Sequence, residues 1–189
     1  MRRAGVLVLA MMLLGGLVYA KELLGVSMPD QVSVGEAKLV LNGMGVRIKK
    51  VAFIGIKVYV AGLYLPSRSS NAEAILAANE PKQMVMHFLY KDVGKDKLVE
   101  GWTEGFEKNS HDMMPTLKAR LDTFNGYWSG MKTGDVAVLT YIPGTGTKVE
   151  IKGKEMGVIE GQDFARALFA IWLGPNPPNK ELKEGLLGK

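Results

Sequence analysis

The residues of this sequence that could do chemistry are an arginine and two tyrosines in an apolar, glycine-containing segment. Arg47 follows residues 42–46, which read Asn-Gly-Met-Gly-Val, and Tyr59 and Tyr64 lie in the apolar run that ends at Leu65. We interpret the glycines as a turn, which places Arg47 at the head of one strand and both tyrosines in its partner. Because an unpaired cation against apolar surface is costly, we expect an anionic group to meet Arg47. A solvated arginine at a strand end is the alternative.

The rest of the sequence offers few other chemistries. It contains no Cys and two His, which excludes disulfides, thiolate zinc sites and cysteine nucleophiles and argues against a multi-histidine metal centre. Residues 143–147 resemble a phosphate-binding loop, but no Gly-Lys-Ser/Thr follows, so a hairpin turn is favoured. His111-Asp112 is interpreted as an exposed helix junction. We therefore predict no metal site and no cofactor.

Residues 1–20 have the three-part order of a secretory signal peptide. Arg2 and Arg3 form a positive head, residues 6–18 form an apolar run, and Ala20 is a small residue of the kind found at a cleavage site. We predict cleavage near Ala20 and a periplasmic or secreted location. A membrane anchor is the alternative, although the run is shorter than the roughly 20 apolar residues that span a bilayer.

Residues 21–189 are predicted to form a single domain, since no linker or repeat divides them and no second apolar run is long enough to span a bilayer. Loss of Arg2 and Arg3 lowers the formal charge of the chain from +5 to +3. The remaining basic residues alternate with acids, as in Lys95-Asp96-Lys97, so we predict no nucleic-acid partner. The sequence does not define an oligomeric state.

The hydrophobic spacing predicts blocks of strands and blocks of helices. Strands are expected over residues 36–65, 82–90, 135–142, 147–151 and 155–159, and helices after Ser70 or Asn71, over 95–109, from about Met113, over 162–173 and near the end of the chain. Strands and helices do not alternate regularly. The fold class is therefore α+β, with a largely antiparallel sheet faced by helices.

Four motifs together resemble the exported bacterial branch of the chalcone isomerase-like family. They are the Gly-Met-Gly-Val-Arg segment ending at Arg47, the strand Val-Tyr-Val-Ala-Gly-Leu-Tyr-Leu, the hairpin Tyr-Ile-Pro-Gly-Thr-Gly-Thr, and the helix that begins Gly-Gln-Asp-Phe-Ala-Arg-Ala-Leu. The resemblance spans about residues 34–187. It implies an open-faced antiparallel sheet packed against a layer of helices, with a ligand cleft between the two layers.

Members of that family are either isomerases that close a flavanone ring or fatty-acid-binding proteins. The resemblance places Arg47 on the family's arginine and Tyr59 where the isomerases have a catalytic threonine. On the family's catalytic helix, Trp102 and Gly105 replace a tyrosine and a lysine, whereas Asn109 agrees. Ala165 falls where a later hydroxyl residue is expected. These replacements remove donors that would organise a phenolate, and they make the cleft more apolar.

The sequence therefore predicts an exported, non-catalytic protein that binds a small hydrophobic carboxylic acid, most plausibly a fatty acid. The predicted ligand-binding residues are Arg47, Tyr59, Tyr64, Trp102 and Asn109, with Arg47 and Tyr59 donating to the carboxylate. Two alternatives stay open. One is an isomerase or lyase that acts on a non-flavonoid substrate, and the other is a structural envelope protein without a ligand.

Overall fold

The computed structural model of this chain describes residues 20–189. The predicted signal peptide, apart from Ala20, lies outside the described residues. The strands are β1 (Ala20–Leu23), β2 (Val26–Pro29), β3 (Gln31–Val34), β4 (Ala37–Val51), β5 (Ile54–Leu65), β6 (Lys82–Phe88), β7 (Val136–Ile142), β8 (Gly146–Ile151) and β9 (Lys154–Ile159). The helices are α1 (Ala72–Ala77), α2 (Lys95–Ser110), α3 (Met114–Tyr127), α4 (Gln162–Leu173) and α5 (Lys180–Leu186), with a short 3-10 turn at His111–Met113.

Seven strands form one antiparallel sheet in the order β3-β4-β5-β6-β7-β8-β9. The helices pack on one face of this sheet, and the β1-β2 hairpin lies over part of the other face, where Met28 approaches Gly62. Strands and helices occur in blocks, so the α+β class and the open-faced antiparallel sheet predicted from the sequence are confirmed.

Alternation of side chains along the strands determines which face meets the helices. Tyr59, Ala61 and Leu63 of β5 point into the helix-covered core, while Val60 and Tyr64 point into the smaller cluster beneath the β1-β2 hairpin. This is the period-two pattern of a strand that is buried on both faces. The central strands therefore hold the two layers of the molecule together.

The helices bury the stripes that their spacing predicts. Leu98, Trp102 and Phe106 are the buried residues of α2, and α4 is buried along almost its whole length from Phe164 to Leu173. Aromatic rings of these two helices and α3 stack on one another behind the sheet. In the part of the chain described, no helix is both long enough and apolar enough to cross a membrane.

The predicted glycine turn before Arg47 is wrong. β4 runs without a break through Gly43 and Gly45, and the chain turns only at Ala52 and Phe53. The glycines are needed because α5 lies directly on β4: a Cβ on Gly43 would stand 2.1 Å from the carbonyl oxygen of Gly185. The pattern therefore marked a close contact between backbones, which also requires residues without a side chain.

The first three strands, residues 20–34, were not predicted. Each has four residues, and turns at Leu24-Gly25, Asp30 and Gly35 separate them from one another and from β4. A segment this short has too few alternations for its period to be recognised.

Candidate ligand-binding cavity

A cavity of about 310 Å³ lies between the β4-β5 strand pair, α2 and the segment that joins α4 to α5. Its apolar wall is formed by Ile56, Val58, Val93, Leu98, Trp102, Ile171, Pro177 and Pro178. Arg47 and Tyr59 project into the same space, and charged residues of α2 stand at its rim. An apolar cleft with a few convergent polar groups is the usual form of a small-molecule site, and this one is at the small end of the typical range.

Arg47 is held in the cavity by the geometry of its strand. It pairs with Tyr59 across β4 and β5, and the pairing slips by one residue directly after it, which makes a bulge between Arg47 and Ile48. The Asn179 side chain bonds to the backbone of β4 on both sides of Arg47. It donates to the Val46 carbonyl at 3.1 Å and accepts from the Ile48 amide at 3.2 Å. Bulges are a common means of aiming a side chain at a functional site.

The Arg47 guanidinium has donors to spare. Among residues 20–189, its side chain donates only through Nη1, to the carbonyl oxygens of Ile48 and Pro178. No carboxylate of the described chain forms an ion pair with it. A half-buried guanidinium with a free edge facing an apolar cavity can take a carboxylate in a two-pronged contact.

The lysines of α2 at the cavity rim form ion pairs with carboxylates of the same helix. Lys97 lies 2.6 Å from Glu100, and Lys108 lies 2.5 Å from Glu104. Both pairs are well exposed, so water screens them. An anion that enters the cavity therefore meets two cations that form no ion pair in the described chain, the half-buried Arg47 and the exposed, water-screened Lys49.

Tyr59 contributes a neutral hydroxyl to the cavity. Its oxygen accepts a hydrogen bond from Nε1 of Trp172 at 2.9 Å, and its own hydrogen has no acceptor among the described residues. Burial raises the pKa of Tyr59 to about 12, against the opposing effects of the Trp172 hydrogen bond and the Arg47 charge. The hydroxyl therefore stays protonated and can donate to a ligand beside Arg47.

Trp102 lines the cavity and belongs to an aromatic cluster that continues into the core behind it. Its ring centroid lies 5.0 Å from that of Trp128 and 5.7 Å from that of Trp172. Nε1 of Trp102 is buried without an acceptor in the described chain. Such an unsatisfied donor costs about 1–3 kcal/mol unless a ligand atom or water meets it.

Asn109 acts on the wall of the cavity rather than in it. Its amide group donates to the carbonyls of Gly105 and Asn176 and accepts from the Asn176 backbone amide. These bonds fasten the α4–α5 segment to α2, and Asn176 itself lines the cavity. Asn109, which the sequence predicts as a ligand-binding residue, therefore does not line the cavity itself but supports Asn176, which does.

Tyr64, which the sequence predicts as a ligand-binding residue, does not line the cavity. It lies five residues after Tyr59, so the alternation of β5 turns its side chain to the opposite face of the sheet. There its hydroxyl donates to the Pro29 carbonyl at 2.9 Å. Tyr64 fixes the β1-β2 hairpin onto the sheet.

At two positions where the resemblance predicts that polar family residues have been replaced, Gly105 and Ala165, the structure is tightly packed. A Cβ on Gly105 would stand 2.9 Å from the Ile171 side chain, because α2 and α4 cross there. Ala165 is buried in the core and does not line the cavity.

Two residues of the site were missed from the sequence. Trp172 carries only the signal of a core residue, since it continues the apolar stripe of α4. Asn179 stands at the N-cap position of α5, a place favoured by asparagine, yet its side chain makes no capping bond and crosses to β4 instead. Neither role can be recognised without knowing which strand lies opposite.

Comparison with known proteins defines the class of this chain. A model of the family described as chalcone isomerase-like matches residues 20–188. The chain belongs to the chalcone isomerase-like family, as its motifs predict; the exported bacterial branch stays a prediction.

A fatty-acid binding protein of Arabidopsis thaliana has a similar structure, with a TM-score of 0.68 and 19% sequence identity over 86% of this chain and 92% of that one. No match is found among curated proteins.

Proposed function

We propose that this protein is an exported, non-catalytic binding protein for a hydrophobic carboxylic acid, with a fatty acid as the best fit. One observation carries the proposal: an unpaired guanidinium, Arg47, and a neutral hydroxyl donor, Tyr59, are neighbours on one wall of an apolar cavity. This pair matches a carboxylate, and the apolar wall with Trp102 at its side matches an alkyl chain. The similar fold of a fatty-acid binding protein supports the same ligand class.

Binding fits the site better than proton-transfer catalysis does. A general acid or base works best when its pKa is near the working pH, and the pKa of Tyr59 is about 12. The cavity wall has Gly105 and Trp102 at positions where the family's isomerases are expected to have polar donors. The site is therefore equipped to hold an anion and poorly equipped to move a proton.

Export is the untested part of the proposal and rests on the sequence of residues 1–20. The family match begins at residue 20, next to the predicted cleavage site, which supports a domain that starts where the leader ends. N-terminal sequencing of protein recovered from the periplasm or medium tests it. We expect the mature chain to begin at Lys21; full-length protein in the membrane fraction would contradict cleavage and support the membrane-anchor alternative, and full-length protein in the cytoplasm would contradict export.

Titration with a fluorescent fatty acid tests the ligand class. Arg47→Met should weaken binding by about 10- to 100-fold, the usual worth of hydrogen bonds to a charged group. The matched control is Lys49→Met, which removes an exposed cation from the same cavity and should leave affinity within about twofold, because water screens an exposed charge.

Native mass spectrometry of gently purified protein gives an independent readout. We expect a mixture of fatty acids bound to the wild-type protein and none bound to Arg47→Met. A ligand-free wild-type protein whose melting temperature is unchanged by added fatty acids would favour a structural role instead.

A further inference from the structure

The turn between β4 and β5 exposes the most prominent apolar surface of the described chain. Phe53 is fully exposed at 105% of its reference area, Ile54 is 69% exposed and Val51 is 50% exposed. The three side chains are contiguous at the tip of one hairpin. A patch of large apolar side chains in water is unusual unless something covers it.

The turn itself does not require these residues. In the two-residue turns Leu24-Gly25 and Lys152-Gly153, a glycine with positive φ follows the first turn residue, as tight hairpins favour. In the β4-β5 turn, Ala52 takes the positive φ of 52° and Phe53 stands in the second place. The positive φ favours glycine or asparagine at position 52, and the turn geometry does not account for an aromatic side chain at position 53.

The arms of the hairpin are basic. Lys49, Lys50 and Lys57 flank the tip, and residues 49–57 contain no acid. Two carboxylates approach from neighbouring helices: Glu181 is close enough to Lys50, and Glu100 to Lys49, for the lysine charge to help lower the pKa of each acid. The three lysines still outnumber these two carboxylates, so the surroundings of the apolar tip keep a net positive charge.

We propose that the β4-β5 hairpin, residues 49–57, docks the protein on an anionic lipid bilayer. Phe53, Ile54 and Val51 would enter the boundary between headgroups and acyl chains, and the lysines would lie at the level of the anionic headgroups, their apolar stems following the tip. Because the lysines around the tip complement anionic headgroups, we expect this surface to bind an anionic lipid membrane in preference to a neutral membrane or a protein partner.

Docking at this tip would bring the cavity next to the membrane. Lys49 and Ile56, which pair two steps from the turn, line the cavity, and Arg47 lies four residues from the end of β4. At about 3.3 Å per residue, Arg47 stands about 13 Å from Val51, where β4 ends. The inference stands independently of the proposed ligand, since it rests on the tip residues alone.

Co-sedimentation with vesicles tests the inference. We expect binding to vesicles of mixed phosphatidylglycerol and phosphatidylcholine that weakens with salt, and little binding to pure phosphatidylcholine. Replacing both Phe53 and Ile54 with Ser should lower the affinity by at least about tenfold. Val158→Ser, which changes another exposed apolar residue on the far edge of the sheet, is the control and should change it less than twofold.

The charge contribution has a matched pair of variants. The double variant Lys50→Glu and Lys57→Glu should reduce binding by at least about tenfold, whereas Lys38→Glu with Lys189→Glu, the same charge change at exposed sites away from the tip, should have a smaller effect. Both sets are made in the same chain, so any contribution of residues 1–20 is common to them.

Insertion is measured directly with Phe53→Trp. Its fluorescence should shift to the blue and be quenched by brominated lipid when anionic vesicles are added. Vesicle binding that persists unchanged in both tip variants, or a Trp at position 53 that stays in water, would overturn the inference. The inference would also be overturned if the Phe53 and Ile54 variant lost self-association of the protein but kept its binding to vesicles. Fatty-acid affinity measured without vesicles should be unchanged in these variants, which keeps this test separate from that of the proposed function.

Discussion

In the proposed binding mode, Arg47 and Tyr59 divide the recognition of a carboxylate between a charge and a neutral donor. The guanidinium supplies the attraction and keeps its free edge because only carbonyls occupy its Nη1 group. Trp172 orients the tyrosine: its Nε1 donates a hydrogen bond to the hydroxyl oxygen, so the hydroxyl hydrogen stays available to a ligand. The sequence singles out both residues, which line the cavity, because a cation and a phenol within an apolar segment are unusual. Trp172 was not found, because nothing distinguishes its indole from any other core aromatic.

Tyr59→Phe should weaken fatty-acid binding by about three- to tenfold, the worth of one neutral hydrogen bond. Tyr64→Phe is the matched control, because it removes the same hydroxyl from the other face of β5. Its fatty-acid affinity should equal that of the wild type. An equal loss in both variants would show that the effect is a general weakening of the sheet.

The same two variants make a prediction about pH. The folded-state pKa of Tyr59 and that of Tyr64 are both about 12, above the ordinary value of 10.0, so each protonated hydroxyl stabilises the fold. That contribution is complete below pH 10 and is lost as the pH rises toward 12. Urea denaturation should therefore show a shallower loss of stability above pH 10 in either variant than in the wild type. An unchanged slope would contradict the buried placement of these hydroxyls.

Among the elements, β4 shows best what a sequence can and cannot reveal. Its glycines were read as a turn, because turns and close backbone contacts select the same residue. The distinction depends on α5, which begins more than 130 residues later and packs against Gly43 and Gly45. Helices such as α2 and α4 were predicted well because their spacing is a local property. The cavity depends on the long-range contact of β4 with α5, and no local pattern encodes it.

Gly43→Ala should destabilise the protein by about 1–3 kcal/mol, since the added methyl group forces α5 away from β4. Gly126→Ala is the control: it lies in α3 with open space around it and should be neutral or stabilising by up to about 1 kcal/mol. Denaturant unfolding measures both. A neutral Gly43→Ala would mean that α5 does not pack closely on β4 in solution.

Asn179→Ala tests how the bulge aims Arg47. The variant loses the two hydrogen bonds that join the start of α5 to β4 on either side of Arg47. We expect a loss of about 1–3 kcal/mol in stability and a fall in fatty-acid affinity, although Asn179 does not line the cavity. Asn179→Asp, which keeps the acceptor for Ile48, should restore part of both. Lower stability with unchanged affinity would limit Asn179 to a structural role.

At the scale of the whole molecule, the sheet carries a different surface on each side. One face forms the core with the helices and contains the cavity, and the other is partly covered by the β1-β2 hairpin. Fold class and family could be predicted because they depend on block order and several motifs in sequence. The volume of the cavity could not, because it is what remains after all the helices have packed.

The volume of the cavity can be tested through the binding affinities of saturated fatty acids of increasing chain length. Each methylene buried in the cavity should raise affinity about fourfold, as about 0.8 kcal/mol per group implies, until the cavity of about 310 Å³ is filled. Beyond that length the gain should stop. Isothermal titration calorimetry across the series locates the plateau, and an affinity independent of chain length would contradict an apolar site for the alkyl chain.

Recognition of a carboxylate by Arg47 is tested by the calorimetric affinities of one fatty acid and its methyl ester, measured for the wild type and for Arg47→Met. The wild type should prefer the acid by at least about tenfold, because only the carboxylate carries the charge that meets the guanidinium. In Arg47→Met, acid and ester should bind equally. A wild-type protein that does not distinguish the two, or an Arg47→Met variant that keeps the preference, would contradict recognition of the carboxylate by Arg47.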